Sequence, residues 1–152
     1  MTGKTNAVVT QGGGWTLLKT VTQESAARSM ELPFTAAELS AYDCFLVVGT
    51  VTMSKSDWLY LSVVRDNVSD ANATWFGKSS ASYSSYTFNK EHMPDLLIRR
   101  MSGNYYIADI DRIDAMTNKK YDITNGLYMV CYASNATIPA NTELQIYGKA
   151  HL

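Results

Sequence analysis

Two histidines, fourteen acids and two cysteines are the residues with which this 152-residue chain could do acid–base, metal or thiol chemistry. His92 lies in Asn89-Lys90-Glu91-His92-Met93-Pro94-Asp95 and reads as a solvated loop histidine. His151 is next to the last residue and is expected to fray. No Gly-x-Ser-x-Gly elbow, phosphate-binding loop or His-Glu-x-x-His helix is present. A glycosidase needs two converging carboxylates, which spacing alone cannot pair among fourteen acids, so that option stays open. The expectation is that the chain is not an enzyme.

Asp109, Asp111, Asp114 and Asp122 are the one acidic group with the oxygen chemistry that calcium prefers. The group lacks the glycine and closing glutamate of an EF-hand loop, and Arg112, Lys119 and Lys120 sit among its acids. It reads as a salt-bridged, solvated loop, and no metal or cofactor is expected. Cys44 and Cys131 fall inside apolar runs with no basic neighbour to stabilise a thiolate. Two buried, reduced thiols are expected, with a disulfide across the core as the alternative.

The aromatic residues are more suggestive. Ten Tyr and three Trp stand against four Phe, which favours rings with polar tips. Trp75, Tyr83, Tyr86, Tyr105 and Tyr106 occur in or beside polar segments and are the candidate ligand contacts. Tyr with Ser gives rigid contact area plus adaptable hydrogen bonding. Aromatic faces pack on the apolar faces of sugars, while Asn, Asp and Ser bind hydroxyls. The alternative is that these rings cover a sheet edge or fill a subunit interface. Asn67, Asn72 and Asn135 each begin an Asn-x-Ser/Thr triplet, which matters only in a glycosylating pathway.

The elements that must position these rings read as strands. Cys44–Val51 and Trp58–Val64 are apolar runs flanking polar Met53–Asp57, and together they predict a central hairpin. Both faces of the first run are apolar, so it belongs inside a sheet covered on both sides. Trp15–Thr22, Ala26–Leu32, Asp95–Met101, Tyr105–Ile110, Leu127–Tyr132 and Thr142–Gly148 supply the other strands, and Ser79–Phe88 reads as an edge strand or an ordered loop. Ser102-Gly103-Asn104 predicts a tight hairpin turn, and Thr35 with Glu38 predicts one helical turn. Asp66–Lys78 reads as a loop. The expected core holds Cys44, Phe45, Leu46, Val48, Leu59, Leu61, Val63, Ile98, Val130, Cys131 and Ile146. This spacing predicts an all-β, jelly-roll-like antiparallel β-sandwich with little helix, and a closed barrel is the alternative. Residues 1–14, ending in three glycines, read as a flexible arm or linker, and residues 15–152 as one domain.

With a net charge of −1, a broad electrostatic grip on nucleic acid or anionic membrane is not expected. No apolar run reaches the roughly 20 residues that span a bilayer. The N-terminus has no signal-peptide core, so the chain reads as cytoplasmic at synthesis or as a fragment of a longer protein.

GGGWTLLKTVT near the start, YDCFLVVGT in the middle and ELQIYGK near the end resemble the C-terminal domains of tail-fibre, baseplate and receptor-binding proteins of tailed bacteriophages. The resemblance touches both ends and the centre of the chain. It implies a virion tail-appendage domain, a homotrimer, and binding to a host cell-surface polysaccharide or receptor. It places variable host specificity in Asp66–Gly126, the segment carrying Trp75, Tyr83 and Tyr86. Two other readings remain: a structural fibre-tip or trimerisation domain, and a carbohydrate-binding module from a bacterial enzyme.

Overall fold

The computed structural model describes residues 10–11, 14–76, 83–88, 96–102, 105–110 and 121–150. Every strand pairing among them is antiparallel, and the strands make two sheets packed face to face, an all-β sandwich. In chain order the strands are β1 (Thr10–Gln11), β2 (Trp15–Thr22), β3 (Ser29–Glu31), β4 (Cys44–Asp57), β5 (Leu59–Ser62) and β6 (Ala73–Phe76). They continue with β7 (Tyr83–Phe88), β8 (Leu96–Ser102), β9 (Tyr105–Ile110), β10 (Tyr121–Asp122), β11 (Tyr128–Cys131) and β12 (Glu143–Lys149). The large sheet runs β10-β9-β8-β4-β12-β2-β1, with β7 also on β4; the small sheet runs β3-β11-β5-β6.

β4 is the axis of the large sheet. Phe45, Val47, Val51 and Met53 alternate into the core between the sheets. There they meet Ile98, Leu144 and Ile146 from their own sheet and Met30, Leu59, Leu61, Met129 and Cys131 from the other. Cys44 and Leu46 point to the opposite face and are buried as well, as a strand apolar on both faces requires. Val48 and Val63, expected in the core, are only half-buried.

The central hairpin is not formed. β4 runs unbroken for 14 residues to Asp57. A single residue, Trp58, then separates it from β5, which lies in the other sheet. Met53-Ser54-Lys55-Ser56-Asp57 lacks the Gly, Pro or Asn that reverses a chain. Met53 and Asp57 are buried, while Thr52, Ser54, Lys55 and Ser56 are exposed, and the pairing with β7 shifts register between Thr52 and Asp57. The polar stretch is therefore the continuation of a strand that turns a corner between sheets.

Other local readings hold. Thr35 caps the helix Ala36–Ala41, with Glu38 N donating to Thr35 Oγ1 at 3.1 Å and Thr35 N to Glu38 Oε1 at 2.9 Å. Leu96–Ser102 and Tyr105–Ile110 pair as a hairpin, whose turn residues Gly103 and Asn104 lie outside the described residues. The Asp66–Lys78 stretch contains β6, paired with β5. β1 already pairs with Trp15 and Thr16, so the sheet begins within the stretch read as an arm. No helix among the described residues is long and apolar enough to cross a membrane.

Candidate functional site: an aromatic face beside a seam groove

The small sheet turns one face to the core and the other outward. Along β5, Leu59 and Leu61 go in, so Tyr60 and Ser62 lie on the opposite face; along β11, Met129 and Cys131 go in, so Tyr128 and Val130 lie there too, where Tyr60 and Tyr128 are half-buried and Ser62 and Val130 are covered. Register sets Tyr60 opposite Val130 and opposite Trp75 of β6, and Tyr128 opposite Ser62 and Glu31. Tyr132, just beyond β11, stacks on Tyr60 with ring centroids 5.8 Å apart and planes at 25°. Tyr132 is 52% exposed, the most exposed of the large apolar residues described, with Val64 also exposed. Tyr132 thus presents an exposed ring backed by the half-buried ring of Tyr60.

A dense set of hydrogen bonds holds this face. The Arg28 guanidinium donates to the carbonyls of Cys131 (2.9 Å), Asp66 (2.9 Å) and Tyr132 (2.7 Å). Tyr132 N donates to Trp58 O at 2.9 Å, and Ala133 N to the buried Asp57 Oδ2 at 2.8 Å. Asp66 sits at φ 57°, its N–H donating to Ser29 Oγ, whose hydroxyl donates back to Asp66 Oδ1. These bonds fix the turn carrying Arg65, whose guanidinium lies 4.8 Å over the Tyr128 ring. Arg65 also pairs with Glu31 at 3.6 Å, both side chains half exposed. Burial pushes the Tyr60 phenol above its usual range, with Tyr132, Asp70 and Asp57 adding to the effect. At neutral pH it is therefore a hydroxyl that both donates and accepts.

A groove of about 420 Å³ opens beside this face, at the seam where β2 runs past β3. Val21, Ala27, Met30 and Pro33 line it with apolar surface; Thr22, Glu24, Ser25 and Glu31 add polar groups, and Arg65 belongs to its wall. Gln23 is buried in the same lining, its amide nitrogen donating to Ser29 O at 3.0 Å and to Ile138 O at 3.3 Å. Stacking rings, a fixed guanidinium and a groove of mixed polarity suit binding by contact and hydrogen bonding.

The candidate contacts named from sequence are dispersed. Tyr83 is 39% exposed and meets Tyr86 edge to face, centroids 5.9 Å apart. Tyr86 is only 8% exposed and belongs to the core, its hydroxyl donating to Asp57 O at 3.1 Å. Trp75 is placed by its strand opposite Tyr60, at the edge of the aromatic face. Tyr105 and Tyr106 lie in β9, in the other sheet, opposite Asp122 and Tyr121 of β10. Tyr60, Tyr128, Tyr132 and Arg65 were missed because their segments read as core strands. The signal available was alternation, since each strand Tyr is flanked by residues of the opposite face.

Asp122 accepts from Thr124 N at 3.0 Å and Thr124 Oγ1 at 2.6 Å, a local turn. No group of three or more metal-capable side chains occurs among the described residues. His92, His151, Asp111, Asp114, Arg112, Lys119 and Lys120 lie outside the described residues. Cys44 and Cys131 are free and buried. The chain matches no protein-family model, no curated protein and no solved structure.

Proposed function

We propose that this domain is a non-enzymatic glycan-binding module that takes a host-surface polysaccharide on the outer face of its small sheet. The observation that carries the reading is the Tyr60–Tyr132 stack, exposed at Tyr132 and held by the Arg28 fork. Rigid rings lose little conformational freedom on meeting the apolar face of a sugar ring. Trp75 keeps its candidacy because its strand sets it opposite Tyr60. The proposed setting is the tail appendage of a tailed bacteriophage, as the resemblance at Gly12–Thr22, Tyr42–Thr50 and Glu143–Lys149 implies. A homotrimer there would bring three sites of micromolar to millimolar affinity together and raise avidity by linkage, on the order of 100-fold or more.

The test is binding of the isolated domain to a printed array of bacterial surface polysaccharides and to bacterial cells. Tyr132→Ala should remove binding by about tenfold or more while leaving the thermal transition in place, because the ring is at the surface. Unchanged binding by the folded variant would move the site away from this face. A fibre-tip or trimerisation domain would behave differently: no array signal, and a change of oligomeric mass in Tyr132→Ala.

A further inference from the structure

We infer that the seam groove is a second subsite of the same glycan site and that it accepts an N-acetylhexosamine unit. The inference rests on the glycan reading of the aromatic face. Continuity comes from Arg65, which lies over the Tyr128 ring at 4.8 Å and forms part of the groove wall with Glu31. From the strand of Tyr60 across β11 to β3 is two strand spacings, about 10 Å. A saccharide of a few units laid on the rings is therefore long enough to reach the groove.

The lining selects the unit. An acetamido group has a methyl that needs apolar contact and an N–H and C=O that need partners. The groove provides Val21, Ala27 and Pro33 for the first, and Thr22, Ser25 and the exposed carboxylates for the second. A plain hexose would lay a hydroxyl on that apolar surface without a partner. An acidic sugar would meet Glu24 and Glu31 against one guanidinium, Arg65, already engaged by Glu31. At about 420 Å³ the groove falls within the ordinary range of ligand sites.

The experiment compares two probes of the same linkage and length, the pentamer of β-1,4-linked N-acetylglucosamine and the pentamer of β-1,4-linked glucose, by calorimetry. The acetylated pentamer should bind about tenfold tighter or more, the difference expected of one satisfied amide plus a buried methyl. Ala27→Leu, which fills the groove, should erase that preference, and Tyr132→Ala should weaken both probes. Ser25→Leu, at the exposed rim, is the second variant in case Ala27→Leu does not fold. Equal binding of the two pentamers, with both groove variants silent and Tyr132→Ala still damaging, overturns the groove assignment and leaves the aromatic face standing. If neither pentamer binds, the N-acetylhexosamine assignment fails, and the aromatic face is judged by the cell and array binding alone.

Discussion

Asp57 joins the corner between the sheets to the aromatic face, and its removal should be felt at both. Its Oδ2 accepts Ala133 N at 2.8 Å, next to Tyr132, and its carbonyl accepts the Tyr86 hydroxyl at 3.1 Å. Asp57→Ala deletes a charge-assisted hydrogen bond and leaves the Ala133 N–H without its acceptor. The carbonyl and its bond to Tyr86 survive, so the loss is that of one charged acceptor, roughly 1.5–3 kcal/mol. For a domain of this size that is about 3–12 °C in the thermal midpoint. Asp57→Asn keeps an oxygen at the same place and should lose less than about 1 kcal/mol. The assay is urea unfolding at pH 7 followed by tryptophan fluorescence, with the slope compared among variants so that only changes of midpoint are read as stability. One bond next to Tyr132 is lost while those from Arg28 and to Trp58 O remain, so glycan binding by the folded fraction should fall less than in Tyr132→Ala. If Asp57→Ala loses less than about 0.5 kcal/mol, or if Asp57→Asn is as damaging as Asp57→Ala, the acceptor role assigned to this carboxylate is wrong.

Four further outcomes are expected. Gly49 has φ 142°, and a Cβ there would stand 2.7 Å from Leu144 Cδ2 and 2.8 Å from Glu143 O; Gly49→Ala should cost about 2–5 kcal/mol by overpacking and backbone strain, checked by denaturant midpoint. Burial pushes the Cys44 thiol from 9.0 up to about 11 and the Cys131 thiol up to about 12, so native protein should resist an aromatic disulfide reagent at pH 8 and react fully in denaturant. Because both pKa values are raised on folding, their contribution is whole below pH 9 and is lost as pH rises through about 11 to 12; the urea midpoint should fall across that window, and Cys44→Ala, Cys131→Ala should flatten the fall. Light scattering at micromolar concentration should give the mass of a trimer, and a clean monomer would remove the proposed avidity.

How much of this was legible depended on whether the signal was local. The Cys44 strand, the Leu127–Tyr132 strand and the capped turn at Thr35 each carry their cause within a few residues, and each formed as expected. The corner at Trp58 did not declare itself, because a polar run between apolar runs imitates a turn. The absence of Gly, Pro or Asn in Met53–Asp57 was the contrary sign. Tyr86 shares a face of β7 with buried Phe88, while Ser85 and Thr87 are exposed, so its inward placement was also written in a period of two. Alternation set Tyr60 and Tyr128 apart from the core, but their assembly into one face was out of reach. It joins Tyr60 and Tyr132 through the pairing of β5 with β11, and no local pattern reports a contact between segments so far apart in the chain.

The position of β12 sets the order in which the molecule can assemble. Glu143–Lys149 lies between β2 and β4, pairing with both. Neither of those strands can complete its ladder until the ribosome has released a segment made some hundred residues after them. Until then Phe45, Val47 and Val51 lack the cover of Leu144 and Ile146, and a chain stalled at that point offers the unpaired edge of β4 along Cys44–Gly49 to any neighbour. Folding is thereby tied to late synthesis and to slow non-local pairing. A nascent chain of this design depends on being kept apart from its copies, a demand that rises with the rate at which it is made.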